Sequence, residues 1–186
     1  MSGETAKPGR ISTVAIVGHK NSGKTTLTER LIRHFSAQGL RVAAVKHTSD
    51  EVGFDKPGRD SDRLAHAGAV AVGMVAKNEI GFYTTHTADT SEGWMEAAFA
   101  ALPQPPDLII YEGYRGGPHP KIECILKPEV TTPSFTSAQG LIAVVSDHKV
   151  SVDVPVLNYE PVESIANLIL SSFGRLDWAA GPVKLH

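Results

Sequence analysis

The chain has a single cysteine, Cys124. One thiol cannot close an intrachain disulfide and cannot supply a zinc cage. Charge of one sign is also scarce. Lys and Arg number 18 against 20 Asp and Glu, a formal net charge of −2. That balance does not suggest general nucleic-acid binding, so any positive patch must be local. The longest apolar run, 69–76, is too short to cross a bilayer. The opening residues MSGETAKPGR lack the apolar stretch of a secretory signal. The histidines stand at 19, 34, 47, 66, 86, 119, 148 and 186, with no i, i+4 pair of the metalloprotease type. None is assigned a metal. The expectation is a soluble cytoplasmic protein with no nucleic-acid or membrane partner.

What is present suits one ordinary domain. The 186 residues are 41% hydrophobic and 20% charged, enough to bury a core. We expect a lead-in over 1–11, one domain over 12–174 and a loose tail over 175–186. STVAIVG (12–18) predicts a buried strand. Residues 24–38 place Leu27, Leu31, Ile32 and Phe35 on one helical face, with Gly39 as a C-terminal stop. RVAAVKH (41–47) predicts the next strand. Strand, helix, strand in succession is a βαβ unit and implies a parallel sheet. Residues 48–62 are polar and predict a long loop, followed by a short helix ending near Gly68.

Further on, 69–76 and 80–85 are strand-like, and Asn78 between them can turn a hairpin. Residues 91–102 predict a helix capped by Ser91, broken by PQPP. DLIIYEG (107–113) is apolar until its end, as in a strand buried on both faces. KIECIL (121–126) and LIAVVSD (141–147) predict two more strands. A last helix begins at Pro161, with Pro161 in its first turn and Gly174 at its end. The fold class is α/β with a mostly parallel sheet flanked by helices, and a β-hairpin extension.

GHKNSGKT (18–25) matches G-x-x-x-x-G-K-[ST] without a gap. Glycines at both ends let the backbone curl so that N–H groups converge on phosphate oxygens. The helix N-terminus adds a positive end behind them. The loop from Gly18 to Thr25 is therefore a phosphate-binding candidate. Lys24 would reach the β- and γ-phosphates, and Thr25 would place its hydroxyl on Mg²⁺. A magnesium site also wants a carboxylate at the end of a neighbouring strand. Glu112 closes DLIIYEG and fits; the alternative is a carboxylate facing solvent or pairing with a lysine. Asp107 starts that strand and lies at the wrong end.

In the polar loop, Asp60 is a candidate for magnesium or its waters. Lys46, Lys56 and Arg59 are candidates for an anionic ligand. The alternative is a solvated mixed-charge loop. Asp147, at the tip of a late strand, can accept hydrogen bonds from guanine N1–H and its exocyclic amine. The alternative is a turn or cap aspartate, and the Asn-Lys-x-Asp guanine signature is missing. His47 and His119 are candidate ligand contacts on ligand-side loops.

GHKNSGKTTL, VKHT (45–48), DKPGRDS (55–61) with AGA (67–69), DLIIYEGYR (107–115), PKIE (120–123) and IAVVSD (142–147) occur in one order. Together they resemble the MobB family, the molybdopterin-guanine dinucleotide biosynthesis adaptors. The resemblance covers about residues 12–170. Arg59 stands where the family motif has lysine, which keeps the charge but changes the donor geometry. The resemblance implies the P-loop NTPase fold, GTP and Mg²⁺ as cofactors, and a homodimer. It implies a separate guanylyltransferase (MobA-like) as partner, which joins GMP to molybdopterin, with molybdopterin itself a candidate ligand. It also implies slow GTP hydrolysis, makes Gly18, Asn21, Ser22, Gly23, Lys24, Thr25, Thr26 and Glu112 the nucleotide and magnesium residues, and strengthens Asp147 as the guanine contact.

Fast hydrolysis needs a positioned water and an added cation, an arginine worth about 10³–10⁵-fold. No residue must play either part, though Arg59, Arg63 and Arg115 are candidates. One rival is an ATP-dependent ligase similar to dethiobiotin synthetase, but Tyr114 and Arg115 follow Gly113 where a small-residue turn would stand. A second is a nickel-delivering GTPase, whose His-rich tract or paired cysteines are missing. A third is a non-catalytic adaptor in which GTP only sets conformation or is handed to a partner.

Overall fold

The structure, a computed structural model, describes residues 11–48, 58–84 and 93–173. The described residues fall into two compact units, one drawn from Met1–His47 and Met95–His186, the other from Thr48–Trp94. The expected lead-in, tail, Ser91 cap, Gly174 stop and most of the 48–62 loop, with Asp55 and Lys56, lie outside the described residues.

The first unit is built on β1 (Ser12–Gly18), β2 (Val42–Lys46), β5 (Leu108–Glu112), β6 (Lys121–Cys124), β7 (Leu141–Val145) and β8 (Val156–Leu157). They form one sheet in the order β2-β5-β1-β6-β7-β8, every pair parallel. The apolar runs explain the arrangement. In β1, Val14 and Ile16 pack on one face with Leu27, Leu31 and Phe35 of α1 (Lys24–Ala37) and Ile165 and Ile169 of α4 (Val162–Ser172). The alternate residues Ala15 and Val17 pack on the other face with Ile109 and Tyr111, next to Met95 and Phe99 of α3 (Trp94–Ala100). A strand covered on both faces reads as a continuous hydrophobic run, and alternation is lost.

Helix α1 forms because Leu27, Leu31 and Phe35 recur every four residues and all three are fully buried. Each such burial is worth about 1.5–3 kcal/mol. The helix stops in a Schellman motif: Leu40 N–H donates to Phe35 O at 3.1 Å and Gly39 N–H to Ser36 O at 3.0 Å. At α4, Pro161 is the N-cap with extended backbone (ψ 145°), one position earlier than expected. The residue's missing N–H costs nothing there. A short 3-10 turn at Ser137–Gln139 was not expected; a reciprocal Thr136–Gln139 capping box builds it.

In the second unit, α2 (Asp60–His66) precedes the antiparallel hairpin β3 (Ala71–Val75) and β4 (Ile80–Thr84). The expected turn is there, closed by Ala76 N–H on Glu79 O at 2.8 Å. Tyr83 Oη donates to Ser61 O at 3.0 Å and ties the hairpin to α2. Asp62 Oδ2 accepts from Gly58 N–H at 2.8 Å, so the residue just after DKPGRDS closes a turn on the motif's glycine.

Asp107 holds the end of the sheet opposite the loop. It accepts from Arg41 N, Nε and a terminal guanidinium nitrogen at 2.8, 3.1 and 2.6 Å. The Arg41 hydrogen bonds hold its carboxyl below the ordinary carboxylate pKa. A pKa depressed in the folded state gives stability that is present above the unfolded value and lost as pH falls through the folded one. The pair is part-exposed, so its worth is about 1 kcal/mol or less. We expect Asp107→Asn to lower urea stability by about that amount at neutral pH, with the gap from wild type closing below about pH 4. A gap that does not change with pH would contradict this assignment.

Candidate nucleotide site

β1 ends at Gly18 and α1 begins at Lys24, so the loop sits at the carboxyl edge of a central strand. Here an open α/β sheet receives its ligands. A Cβ on Gly18 would lie 2.6 Å from both Cys124 O and Ser22 Oγ. Gly23 has φ 79°, and a Cβ there would lie 2.7 Å from Leu126 and 2.8 Å from Tyr159 Oη. Both positions therefore demand glycine. Asn21 also has positive φ, 62°, a conformation asparagine tolerates better than most. Lys24 Nζ donates to His19 O at 2.6 Å, so the lysine lies across its own loop.

Ser22 Oγ is buried without a hydrogen-bond partner. Thr28 Oγ1 shares that state, so burial alone does not make a site. For Ser22 the neighbours do: a loop of converging backbone, Lys24, and the free N–H groups of the α1 N-terminus. A phosphate oxygen would satisfy it.

The parallel register pairs Ile16 and Lys46 with Glu112. Glu112 Oε1 thereby meets Thr25 Oγ1 at 3.0 Å and Lys46 Nζ at 3.7 Å. The carboxylate is 13% exposed. Hydroxyl and carboxylate, side by side at the mouth of a phosphate loop, are hard oxygen donors of the kind Mg²⁺ takes. No cluster of three His, Cys, Asp or Glu able to hold a metal occurs among the described residues. Magnesium that keeps several waters and takes phosphate oxygens needs no such cluster. The residues fit magnesium and a nucleotide phosphate chain.

Thr26 is exposed on the first turn of α1. Asp147 is exposed just beyond β7, and its Oδ1 accepts from Tyr159 N–H at 3.0 Å. Tyr159 Oη in turn donates to Gly23 O. Sequence reasoning missed Tyr159, which no motif marks. Asp60 stands in the second unit, fully exposed, 3.6 Å from Arg63. His47 is exposed and stacked on Tyr114, ring centroids 4.6 Å apart. His119, expected on a ligand-side loop, is instead buried against Tyr111, 2.9 Å from Thr13 Oγ1 near the start of β1.

The PKIE stretch is scaffold. Buried Lys121 donates to the carbonyls of Gly117, Gln139 and His119 at 2.7, 3.2 and 3.3 Å. Burial lowers its pKa. Glu123, 1% exposed, accepts from Ser134 N–H at 2.8 Å. Cys124 beside the loop is inert: burial pushes its thiol up to about 12.

The sheet order and the loop between β1 and α1 define an α/β protein of the P-loop NTPase fold. Residues 13–147 match the family model described as "MobB: Molybdopterin guanine dinucleotide synthesis protein B". The chain belongs to the MobB family. It is 32% identical over 174 residues to the molybdopterin-guanine dinucleotide biosynthesis adapter protein of Escherichia coli, covering 91% of this chain and 95% of that one. The Haemophilus influenzae protein of the same name is 29% identical over 160 residues, covering 86% and 88%. A crystal structure of molybdopterin-guanine biosynthesis protein B superposes with a TM-score of 0.64 at 28% identity, covering 86% of this chain and 97% of that one. A Bacillus subtilis MobB structure gives 0.64 at 24% identity, covering 87% and 97%, a likeness of fold.

Glu112→Gln removes the negative charge and keeps the shape. We expect it to weaken magnesium-dependent nucleotide binding about tenfold or more and metal-free binding far less. Equal losses in both conditions, by calorimetry, would give Glu112 a structural role.

Proposed function

We propose that this chain is a cytoplasmic Mg-GTP-binding adapter that assists a guanylyltransferase in attaching GMP to molybdopterin. The observation that carries the reading is the Thr25–Glu112 pair, 3.0 Å apart at the mouth of a loop with a buried unpartnered serine. The family's named relatives support the adapter role.

In this reading Gly18 and Asn21–Thr26 surround the phosphates. Lys24 leaves His19 O for a phosphate oxygen, a charged acceptor that binds it more strongly. Ser22 Oγ donates to another. Thr25 and Glu112 would hold magnesium, which when bound neutralises charge on the β- and γ-phosphates. Asp147, oriented by Tyr159 N–H, would accept from the guanine edge. Asp60, placed by sequence position alone, is not carried into this site.

Hydrolysis is slow in this reading because the nearby arginines are engaged. Arg30 pairs with Glu160, and Arg115 lies over the Phe135 ring at 4.8 Å. The engagement supports weak turnover without a partner's cation. A reconstituted assay tests the role. Adding the chain to a guanylyltransferase with GTP, Mg²⁺ and molybdopterin should raise dinucleotide yield, and Lys24→Ala should not. Equal stimulation by Lys24→Ala would sink the nucleotide-dependent role.

The same reading includes a homodimer. In the second unit Val70, Val75 and Ile80 are 86, 81 and 80% exposed, and Met74 and Phe82 are more than half exposed. Such side chains on a two-stranded sheet support pairing with a second copy. Light scattering should give the mass of two chains, and a monomer at micromolar concentration would contradict it.

A further inference from the structure

Tyr159 touches both ends of the candidate site. Its main-chain N–H holds Asp147 Oδ1 at 3.0 Å. Its hydroxyl donates to Gly23 O, which also accepts Leu27 N–H at 2.9 Å. Two donors occupy that carbonyl's two lone pairs. The peptide unit is planar and trans, so its C=O and N–H point opposite ways. Fixing Gly23 O therefore fixes the Lys24 N–H, one of the free donors at the start of α1. The ring itself is held. The Arg30 guanidinium lies 5.4 Å from its centroid and is anchored by the Arg30–Glu160 ion pair. The contact is also close: a Cβ on Gly23 would meet Tyr159 Oη at 2.8 Å.

We propose that Tyr159 is a positioning residue of the nucleotide site, aligning the base-reading carboxylate through its main chain and the phosphate loop through its hydroxyl. The proposal rests on the Mg-GTP reading above. The two links are separable, since replacing the hydroxyl leaves the main-chain link intact. Burial pushes the Tyr159 hydroxyl up to about 12, so it remains a donor throughout the neutral range.

Tyr159→Phe should therefore weaken binding of GTP and of inosine triphosphate by the same factor, about three- to tenfold. Inosine triphosphate has the same phosphates but lacks the exocyclic amine. The loss should be flat from about pH 6 to about pH 9, well below the hydroxyl pKa. Asp147→Asn should instead erode the preference for GTP, weakening GTP more than inosine triphosphate, which keeps N1–H but has no exocyclic amine to lose.

Binding is measured well below the melting temperature of each variant. Unchanged GTP affinity in Tyr159→Phe, whatever its melting temperature, overturns the proposal and leaves the nucleotide reading standing. A collapse of the GTP preference in Tyr159→Phe also overturns it, because the hydroxyl would then act at the base end. Failure of the unsubstituted chain to bind GTP at all overturns the nucleotide reading, and the proposal with it. A second measurement needs no variant. In the unsubstituted chain, Mg-GTP should slow amide exchange at 157–160 together with 19–26. Protection confined to 19–26 would contradict the coupling.

Discussion

Glu112 ends a strand whose four preceding residues are all buried. A carboxylate so placed must be compensated, because an ionised group loses its water on burial. The parallel register settles how. It aligns Glu112 with Ile16 of β1 on one side and Lys46 of β2 on the other. Beyond Ile16 the chain turns through Gly18 into the loop and brings Thr25 back over the carboxylate. Loop, hydroxyl and carboxylate are thus parts of one constraint. Slipping either pairing by one residue would send Glu112 to the opposite face of the sheet.

Buried charge elsewhere in the unit serves the scaffold. Lys121 gathers three carbonyls from the β5–β6 and β6–β7 connections, and Glu123 on the same face takes a main-chain N–H from the latter. Removing the Lys121 head group would leave the carbonyls of buried Gly117 and His119 without that donor, at about 1–3 kcal/mol for each carbonyl left unpaired. The Arg41–Asp107 pair fastens the opposite end of the sheet. The carboxyl ends of the strands are left to hold the loop, Glu112 and Asp147.

Much of this was legible in the sequence. The βαβ unit was, because Val14–Val17 and Leu108–Tyr111 are apolar on both faces and Leu27, Leu31 and Phe35 repeat with the helical period. The loop was, because only glycine fits at positions 18 and 23. Glu112 was, as the charge that closes the apolar run of DLIIYEG. Three features were not. Tyr159 reaches Gly23 across 136 residues of chain, and nothing local marks such a contact. His119 follows a strand that ends at the ligand edge, yet the loop carries it back to Thr13 near the start of β1. Lys121 and Glu123 look like site residues, since charged side chains are seldom buried, and only three-dimensional packing shows them satisfied.

The central claim is that the loop from Gly18 to Thr25, completed by Glu112, is a magnesium-dependent guanine nucleotide site. Calorimetric titration of the purified chain with GTP and with ATP, each with and without Mg²⁺, tests it most directly. The account predicts preferential binding of GTP, strengthened by magnesium. Preference for ATP, or binding indifferent to magnesium, would contradict it.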